Sequence, residues 1–330
     1  MIHPIPSGTR DVLPDEMREL RAITDALWGV YEDEGYGEVW TPTLEYEEVL
    51  RSGLGEGRRP DGGQSHPNGT APAYRVFDDH GEVLALRSDM TVPIARVVAT
   101  RYGAAAPPLR FHYTAHAYRA VRPHRGQMRE FLQSGVELVG VPGPGGTAEV
   151  LRVMCRALDA TGLRNYRIGL GDAALYPALL AGLGVSGDAA DLVLRELVTR
   201  DFVGLERTVG EIGLSSADAE LLIRIPQLRG GPAVLEEVPG TAVAGLRELL
   251  DQLDPALAER VIFDLGLSRG LGYYTGAVFD VLDPALGAPI GGGGRYDDLL
   301  GRFGRSLPAV GFALGVDRLH LALTGEEATP

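Results

Sequence analysis

The chain contains no lysine: all 31 of its basic residues are arginine. Schiff-base catalysis and a lysine-bearing phosphate loop are therefore excluded, since each needs a primary amine. Any bound anion must be held by arginine forks or backbone N–H groups. Cysteine is nearly as scarce. Cys155 stands alone, which rules out an intramolecular disulfide and a cysteine-based zinc cluster. Its setting, the apolar helical pattern 148–158, reads as a core thiol. No hydrophobic run approaches the length of a membrane span, and the N-terminus lacks the basic-then-apolar order of a secretory leader. The expectation is a cytoplasmic protein with no membrane partner. Positive charge is also in deficit, with a net of −14. Proteins that grip phosphate backbones usually present a basic surface. The nearest approach to one is the short cluster Arg119, Arg122, Arg125 and Arg129, so a nucleic-acid partner is not expected.

What is present suffices for a large core. The chain has 330 residues, 45% of them hydrophobic, enough for one α/β domain or a domain with an insertion. Pro14, Asp15 and Glu16 suit a helix start. Met17, Leu20, Ile23, Leu27 and Val30 then recur at spacings of three and four, marking one helical face that ends at Gly35. Residues 38–41 read as a short strand closed by Pro42. Residues 51–73 are rich in Gly, Pro and polar groups and read as a loop. Residues 74–78 and 83–87, separated by Asp79, His80 and Gly81, read as a hairpin. A helix over 90–100 follows, then an antiparallel pair over 109–119 and 131–139. Further on, 147–161 is helical and 165–170 a strand. Leu and Ala at helical spacing dominate 173–258, with no strand pattern. Strands return at 261–264, 275–282 and 309–312, and a helix begins near Gly315. The expected fold class is α+β, an antiparallel sheet flanked by helices. The expected division is a first core part over 1–172, a helical insertion over 173–258 and a second core part over 259–330.

Several patterns invite chemistry. The spacing Gly182, Gly184, Gly187 matches a dinucleotide fingerprint but follows a helical pattern, outside any βαβ unit. His112 and His116 lie on an alternating strand, where they would sit roughly 13 Å apart, too far to share one ion. No metal or cofactor is expected. Gly291 to Gly294 followed by Arg295 reads as a tight turn beside a strand or as a ligand-facing loop. Arg269, flanked by small residues and followed by Tyr273 and Tyr274, offers a carboxylate fork beside aromatic walls.

At this point the residues resemble a known family. Glu34-Gly-Tyr-Gly-Glu-Val-Trp-Thr-Pro42 is similar to motif 1 of the class II aminoacyl-tRNA synthetases, the dimer-interface strand. The run from Tyr118 to Phe131 resembles motif 2, and Gly311-Phe-Ala-Leu-Gly-Val-Asp-Arg318 resembles motif 3. Gly8-Thr-Arg-Asp-Val-Leu-Pro14, Leu86-Arg-Ser-Asp89-Met-Thr91 and 269–275 narrow the likeness to the histidyl branch. The resemblance covers essentially the whole chain. It implies the class II fold, dimerisation through motif 1, and a histidine pocket carried over position by position. Asp89 and Thr91 would meet the α-amino group, with Gln133 adding a hydrogen bond. Arg269 would pair with the carboxylate, and Glu137 with Tyr273 or Tyr274 would hold the imidazole. Such a set is sensible chemistry for a zwitterion with two ring nitrogens. Asp89 is one carbon shorter than the family's usual glutamate.

The nucleotide side departs from the family. Arg119 matches the motif 2 arginine and Arg318 the motif 3 arginine, yet Val121 replaces a glutamate and Gln127 an arginine. Losing one electrostatic stabiliser costs on the order of 10² to 10³ in rate, so these three positions, Arg119, Gln127 and Arg318, read as a vestigial nucleotide site with no catalytic residue. Only residues 319–330 follow motif 3, so no anticodon-binding domain is expected. That combination resembles the branch of ATP phosphoribosyltransferase regulatory subunits, as do Phe279, Asp280, Asp297, Asp298 and Phe303. The branch pairs with a short catalytic subunit in a hetero-octamer and confers feedback inhibition by histidine. Retention of Arg119, Arg269 and Arg318 leaves open an alternative, a truncated ligase activating histidine for an acceptor other than tRNA.

Overall fold

In chain order the elements of the computed structural model begin with helix α1 (Pro14–Asp33), strands β1 (Gly37–Glu38) and β2 (Leu44–Tyr46), helix α2 (Glu47–Leu54), and strands β3 (Arg75–Phe77) and β4 (Val83–Leu86). Then come α3 (Thr91–Arg101), β5 (Leu109–Tyr118), β6 (Glu130–Val139), α4 (Gly145–Ala160) and β7 (Arg167–Asp172). Helices α5 (Leu175–Gly182), α6 (Asp188–Thr199), α7 (Phe202–Ile212) and α8 (Ser216–Arg224) lead to β8 (Arg229–Gly230), α9 (Ala244–Leu250) and α10 (Pro255–Ala258). The chain closes with β9 (Val261–Asp264), β10 (Ala277–Leu282), β11 (Gly291–Arg295), β12 (Ala309–Gly315) and α11 (Val316–Thr324). The structure describes residues 5–54, 73–120, 128–267 and 272–325.

Helix α1 follows its sequence signals. Pro14 occupies the first turn with Asp15 and Glu16 beside it, where acids meet the positive helix end. Leu20, Ile23, Leu27 and Tyr31 are buried. The expected face drifts at both ends: Met17 is exposed, and Tyr31 rather than Val30 fills the last core position. Strand β1 is shorter than the expected 38–41. Beyond Val39 the carbonyls of Thr41 and Pro42 accept hydrogen bonds from the Arg87 side chain instead of from a neighbouring strand.

Nine strands form one sheet in the order β1-β5-β6-β12-β11-β10-β7-β9-β8, and β2-β4-β3 form a second. The large sheet is antiparallel from β5 to β7, as expected, but β1 runs parallel to β5 and β7 parallel to β9. Each parallel pair is joined by a long excursion, through α2 and α3 in one case and α5 to α10 in the other. Parallel neighbours need such crossovers. The stretch 173–258 is helical apart from β8, whose two residues pair with Phe263 and Asp264 at the sheet edge. Two residues are too few to carry an alternating pattern. The Gly182 to Gly187 spacing lies between α5 and α6, flanked by helices rather than a strand.

The four glycines from Gly291 to Gly294 are neither a turn nor a ligand-facing loop. They form β11, between β10 and β12 near the sheet centre. The reason is close approach. A Cβ on Gly293 would lie 1.9 Å from the Gly311 carbonyl oxygen and 2.7 Å from the Phe312 Cα. Arg295 closes the strand. It is buried, donating from Nη2 to the Val141 carbonyl at 2.6 Å and from Nε to Asp297 at 3.2 Å.

Alternation gives the sheet two unlike faces. Val136, Leu138, Phe312, Leu314, Phe279 and Leu170 build the main core beneath α1, α4 and α11. Cys155 belongs to it, and burial pushes its thiol up to about 11, so it is a neutral core group. On the other face Phe111, Tyr113, Met90 and the α3 residues Ile94 and Val98 form a second core around the polar site described below. Among the described residues no helix is long and apolar enough to cross a membrane.

Replacing Gly293 by alanine should therefore push β11 off β12. Overpacking of this kind costs about 1–3 kcal/mol, and a lowered denaturation midpoint in urea would register it. An unchanged midpoint would mean that the strands separate freely.

Candidate functional site

Strand β6 supplies the floor. Gln133, Gly135 and Glu137 share one face by alternation, opposite Ala115, Tyr113 and Phe111 of β5 and opposite Gly315, Ala313 and Gly311 of β12. Small residues thus separate the two polar side chains. A Cβ on Gly135 would lie 2.8 Å from the Tyr113 hydroxyl, and one on Gly311 would lie 1.9 Å from Glu137 Oε2. Only glycine at position 311 leaves that carboxyl its place.

Glu137 is 1% exposed. The Thr91 hydroxyl donates to its Oε1 at 2.8 Å, and the Tyr296 hydroxyl donates to its Oε2. Burial pushes the carboxyl up to about 8, against the opposing effect of those two donors and with a further push from Asp89. Burial thus favours the neutral carboxyl, which can donate as well as accept.

Asp89 is also buried. It sits at the entry to α3, where Oδ1 accepts from the Val92 N–H at 3.2 Å while Oδ2 has no hydrogen-bond partner. Burial raises its pKa, opposed by the Val92 N–H and by the charge of Arg119. Gln133 Oε1 is likewise buried without a partner. A buried acceptor left unpaired costs about 1–3 kcal/mol. Each is a place that a ligand's N–H group could satisfy.

Tyrosines make the walls. The rings of Tyr273 and Tyr274 lie 4.9 Å apart, and those of Tyr273 and Tyr296 5.7 Å apart. Tyr113, Tyr273 and Tyr296 are buried, which holds their hydroxyls well above the usual phenol range, and the nearby carboxyls push the same way. The hydroxyl of Thr91 also reaches Tyr273. The arrangement is a slot-like cluster of buried polar groups, in which a hydrogen-bonded carboxyl, the unpaired Asp89 Oδ2 and tyrosine hydroxyls act on one another.

Of the residues expected from sequence, Asp89, Thr91, Glu137, Tyr273 and Tyr274 act on one another here, while Gln133 shares the Glu137 face of β6 four residues away. Arg269 lies outside the described residues, as do Val121 and Gln127. Arg119 stacks over the Phe131 ring at 4.8 Å while acting electrostatically on Asp89. Arg318, in the first turn of α11, donates to the Pro289 carbonyl at 2.6 Å. The sequence reading missed Tyr113, Tyr296 and Gly311. Tyr113 could have been found, because it alternates with Phe111 on the strand paired to Glu137. Tyr296 depends on the unexpected strand β11, whose exit its N–H fixes by donating to the Ala309 carbonyl at 2.8 Å.

Comparison with known proteins adds ancestry to this geometry. A family profile described as histidyl-tRNA synthetase matches residues 8–319. The ATP phosphoribosyltransferase regulatory subunit of Symbiobacterium thermophilum is 42% identical over 96% of this chain and 79% of its own length. That of Moorella thermoacetica is 39% identical over 98% of this chain and 82% of its own. A solved ATP phosphoribosyltransferase regulatory subunit/histidyl-tRNA synthetase from Bacillus halodurans superposes with a TM-score of 0.85 at 34% identity, covering 98% of this chain and 84% of that one. A histidine–tRNA ligase subunit from Alicyclobacillus acidocaldarius gives 0.74 at 32% identity, with 98% of both chains covered.

Burial of Glu137 makes stability pH-dependent. Its carboxyl titrates near 4.5 when unfolded and near 8 when folded, so the folded state holds more protons between those values. Stability should be highest below the lower value and fall as pH rises towards 8. Thermal melts from pH 5 to 8.5 should show that fall, and Glu137→Gln should flatten it. Parallel curves for the two proteins would remove Glu137 as its source.

Proposed function

The chain belongs to the histidyl-tRNA synthetase family, and within it we propose a non-catalytic member, the regulatory subunit of an ATP phosphoribosyltransferase, that binds histidine in the buried slot. The observation that carries the reading is a Glu137 carboxyl held by the hydroxyls of Thr91 and Tyr296, together with the buried unpartnered acceptors Asp89 Oδ2 and Gln133 Oε1. A free amino acid with an imidazole side chain supplies what each end needs. Its ammonium donates to Asp89 and Gln133, with the Thr91 oxygen available as a further acceptor. Its unprotonated ring nitrogen accepts from the Glu137 carboxyl, and its ring N–H donates to a hydroxyl of Tyr273 or Tyr274. Arg269 takes the carboxylate in a bidentate fork.

In this reading the protein activates a short catalytic subunit and brings feedback inhibition by histidine to the first step of histidine biosynthesis. The complex is cytoplasmic and hetero-octameric. Self-association runs through the motif 1 surface, where Trp40 is 86% exposed. Inhibition requires histidine to favour one assembly state over the other, since a ligand with equal affinity for both shifts nothing. Arg119, Gln127 and Arg318 are remnants of a nucleotide site.

Calorimetric titration with histidine tests the slot. Binding is expected, and Asp89→Asn should weaken it about 10- to 100-fold, the loss of one charge-assisted hydrogen bond. Histidine-dependent exchange of pyrophosphate into ATP should be undetectable. Equal affinity in the two proteins would remove Asp89 from the site, and measurable exchange would favour a histidine-activating ligase.

A further inference from the structure

The turn that carries Asp89 and Thr91 into the slot starts at Arg87, a side chain only 4% exposed. Its guanidinium is spent on main-chain oxygens of two other segments. From Nη1 it donates to the Thr41 carbonyl at 2.7 Å, the Thr41 hydroxyl at 3.3 Å and the Pro42 carbonyl at 3.2 Å. From Nε it donates to the His116 carbonyl at 2.8 Å. The backbone repeats the pattern: the Arg87 N–H donates to the Thr43 carbonyl at 3.0 Å, and the Arg87 carbonyl accepts from Tyr118 at 2.9 Å. Glu45, the carboxylate that acts on Arg87 electrostatically, gives its oxygens to Arg96 at 2.5 and 2.9 Å.

A planar fork with fixed donors suits this task, because it can hold two carbonyls at once in a set geometry. On one side Thr41 adjoins Trp40, the most exposed large apolar side chain among the described residues at 86%. On the other, Arg87 stands two residues before Asp89, whose Oδ2 awaits a donor. The path from slot to surface is therefore Asp89, Arg87, Thr41, Trp40, with hydrogen bonds or covalent chain at every step. Removing the guanidinium would orphan three carbonyls at once, those of Thr41, Pro42 and His116.

We infer that Arg87 is a positioning residue that couples occupancy of the slot to the conformation of the Trp40 surface. The inference rests on the histidine reading of the slot. A ligand that pulls Asp89 towards its ammonium shifts the 87–91 turn, and the fork transmits that shift to residues 40–42. The coupling is reciprocal, so a second copy of the chain docked on the Trp40 surface alters histidine affinity by the same factor.

The chain has two tryptophans, so Trp28→Phe leaves Trp40 as the sole indole and its emission as the readout. In that background histidine is titrated by calorimetry and by fluorescence in parallel. With Arg87 intact, histidine should change Trp40 emission along the calorimetric binding curve. With Arg87→Met, binding should weaken by roughly tenfold and the emission change should vanish at saturation. Arg87→Lys, which can reach one carbonyl but not span two, should retain part of the response. A purely structural staple would lower thermal stability while leaving the emission change at saturation intact. That outcome overturns the coupling. If Arg87→Met does not fold, the lysine variant decides, and a parental response in it overturns the proposal. Binding to the Trp28→Phe protein without any emission change overturns the coupling alone. No calorimetric binding to that protein overturns the histidine reading and the coupling together.

Discussion

Everything in the site depends on keeping one carboxyl, that of Glu137, out of water in the middle of a nine-stranded sheet. An ionised carboxylate in such a place costs several kcal/mol unless compensated. The protein compensates with two hydroxyl donors, and burial favours the protonated form. Thr91 reaches Oε1 from the start of α3, and Tyr296 reaches Oε2 from the end of β11. Those two residues come from opposite ends of the chain, so the clamp forms only once the sheet is complete. The glycine at position 311 follows from the same need, since any side chain there would displace the carboxyl.

Under the proposed reading the slot binds and does not react. Its polar groups are held by packing and by one another: the Tyr273 ring lies against Tyr274 and Tyr296, and Asp89 is fixed by the Val92 N–H. Recognition by groups that the free protein leaves unpaired gives selectivity, because a ligand lacking the matching donor would bury them unsatisfied. A sensor needs that selectivity together with two states of unequal affinity. In that reading it needs no stabilisers for a developing charge, and replacements such as Val121 and Gln127 are free to accumulate.

The long amphipathic helices were legible in the sequence, α1 most clearly, because a period of 3.6 survives small errors at the ends. The hairpin of β3 and β4 and the pair β5 and β6 were legible from alternation. Strand β11 was not: four glycines carry no hydrophobic pattern, and what places them in a strand is the approach of Gly311 and Phe312 from the neighbouring one. Strand β8 has too few residues to register, and the two parallel pairings depend on crossovers that a linear pattern does not encode. The site was legible mainly through family resemblance. Asp89, Thr91 and Glu137 are unremarkable as isolated letters, separated by up to 48 positions, and only the fold brings them into contact. Tyr296 and Arg87 escaped because their roles are set by partners, a buried carboxyl and three main-chain carbonyls, rather than by neighbours in sequence.

The regulatory reading makes its strongest commitment about a partner. Mixing the protein with a short-form ATP phosphoribosyltransferase catalytic subunit and following phosphoribosyl-ATP formation, with and without histidine, addresses it directly. Activity should rise only in the mixture and fall when histidine is added. A protein that neither binds nor activates that subunit would contradict the account and leave a histidine-using ligase as the better description.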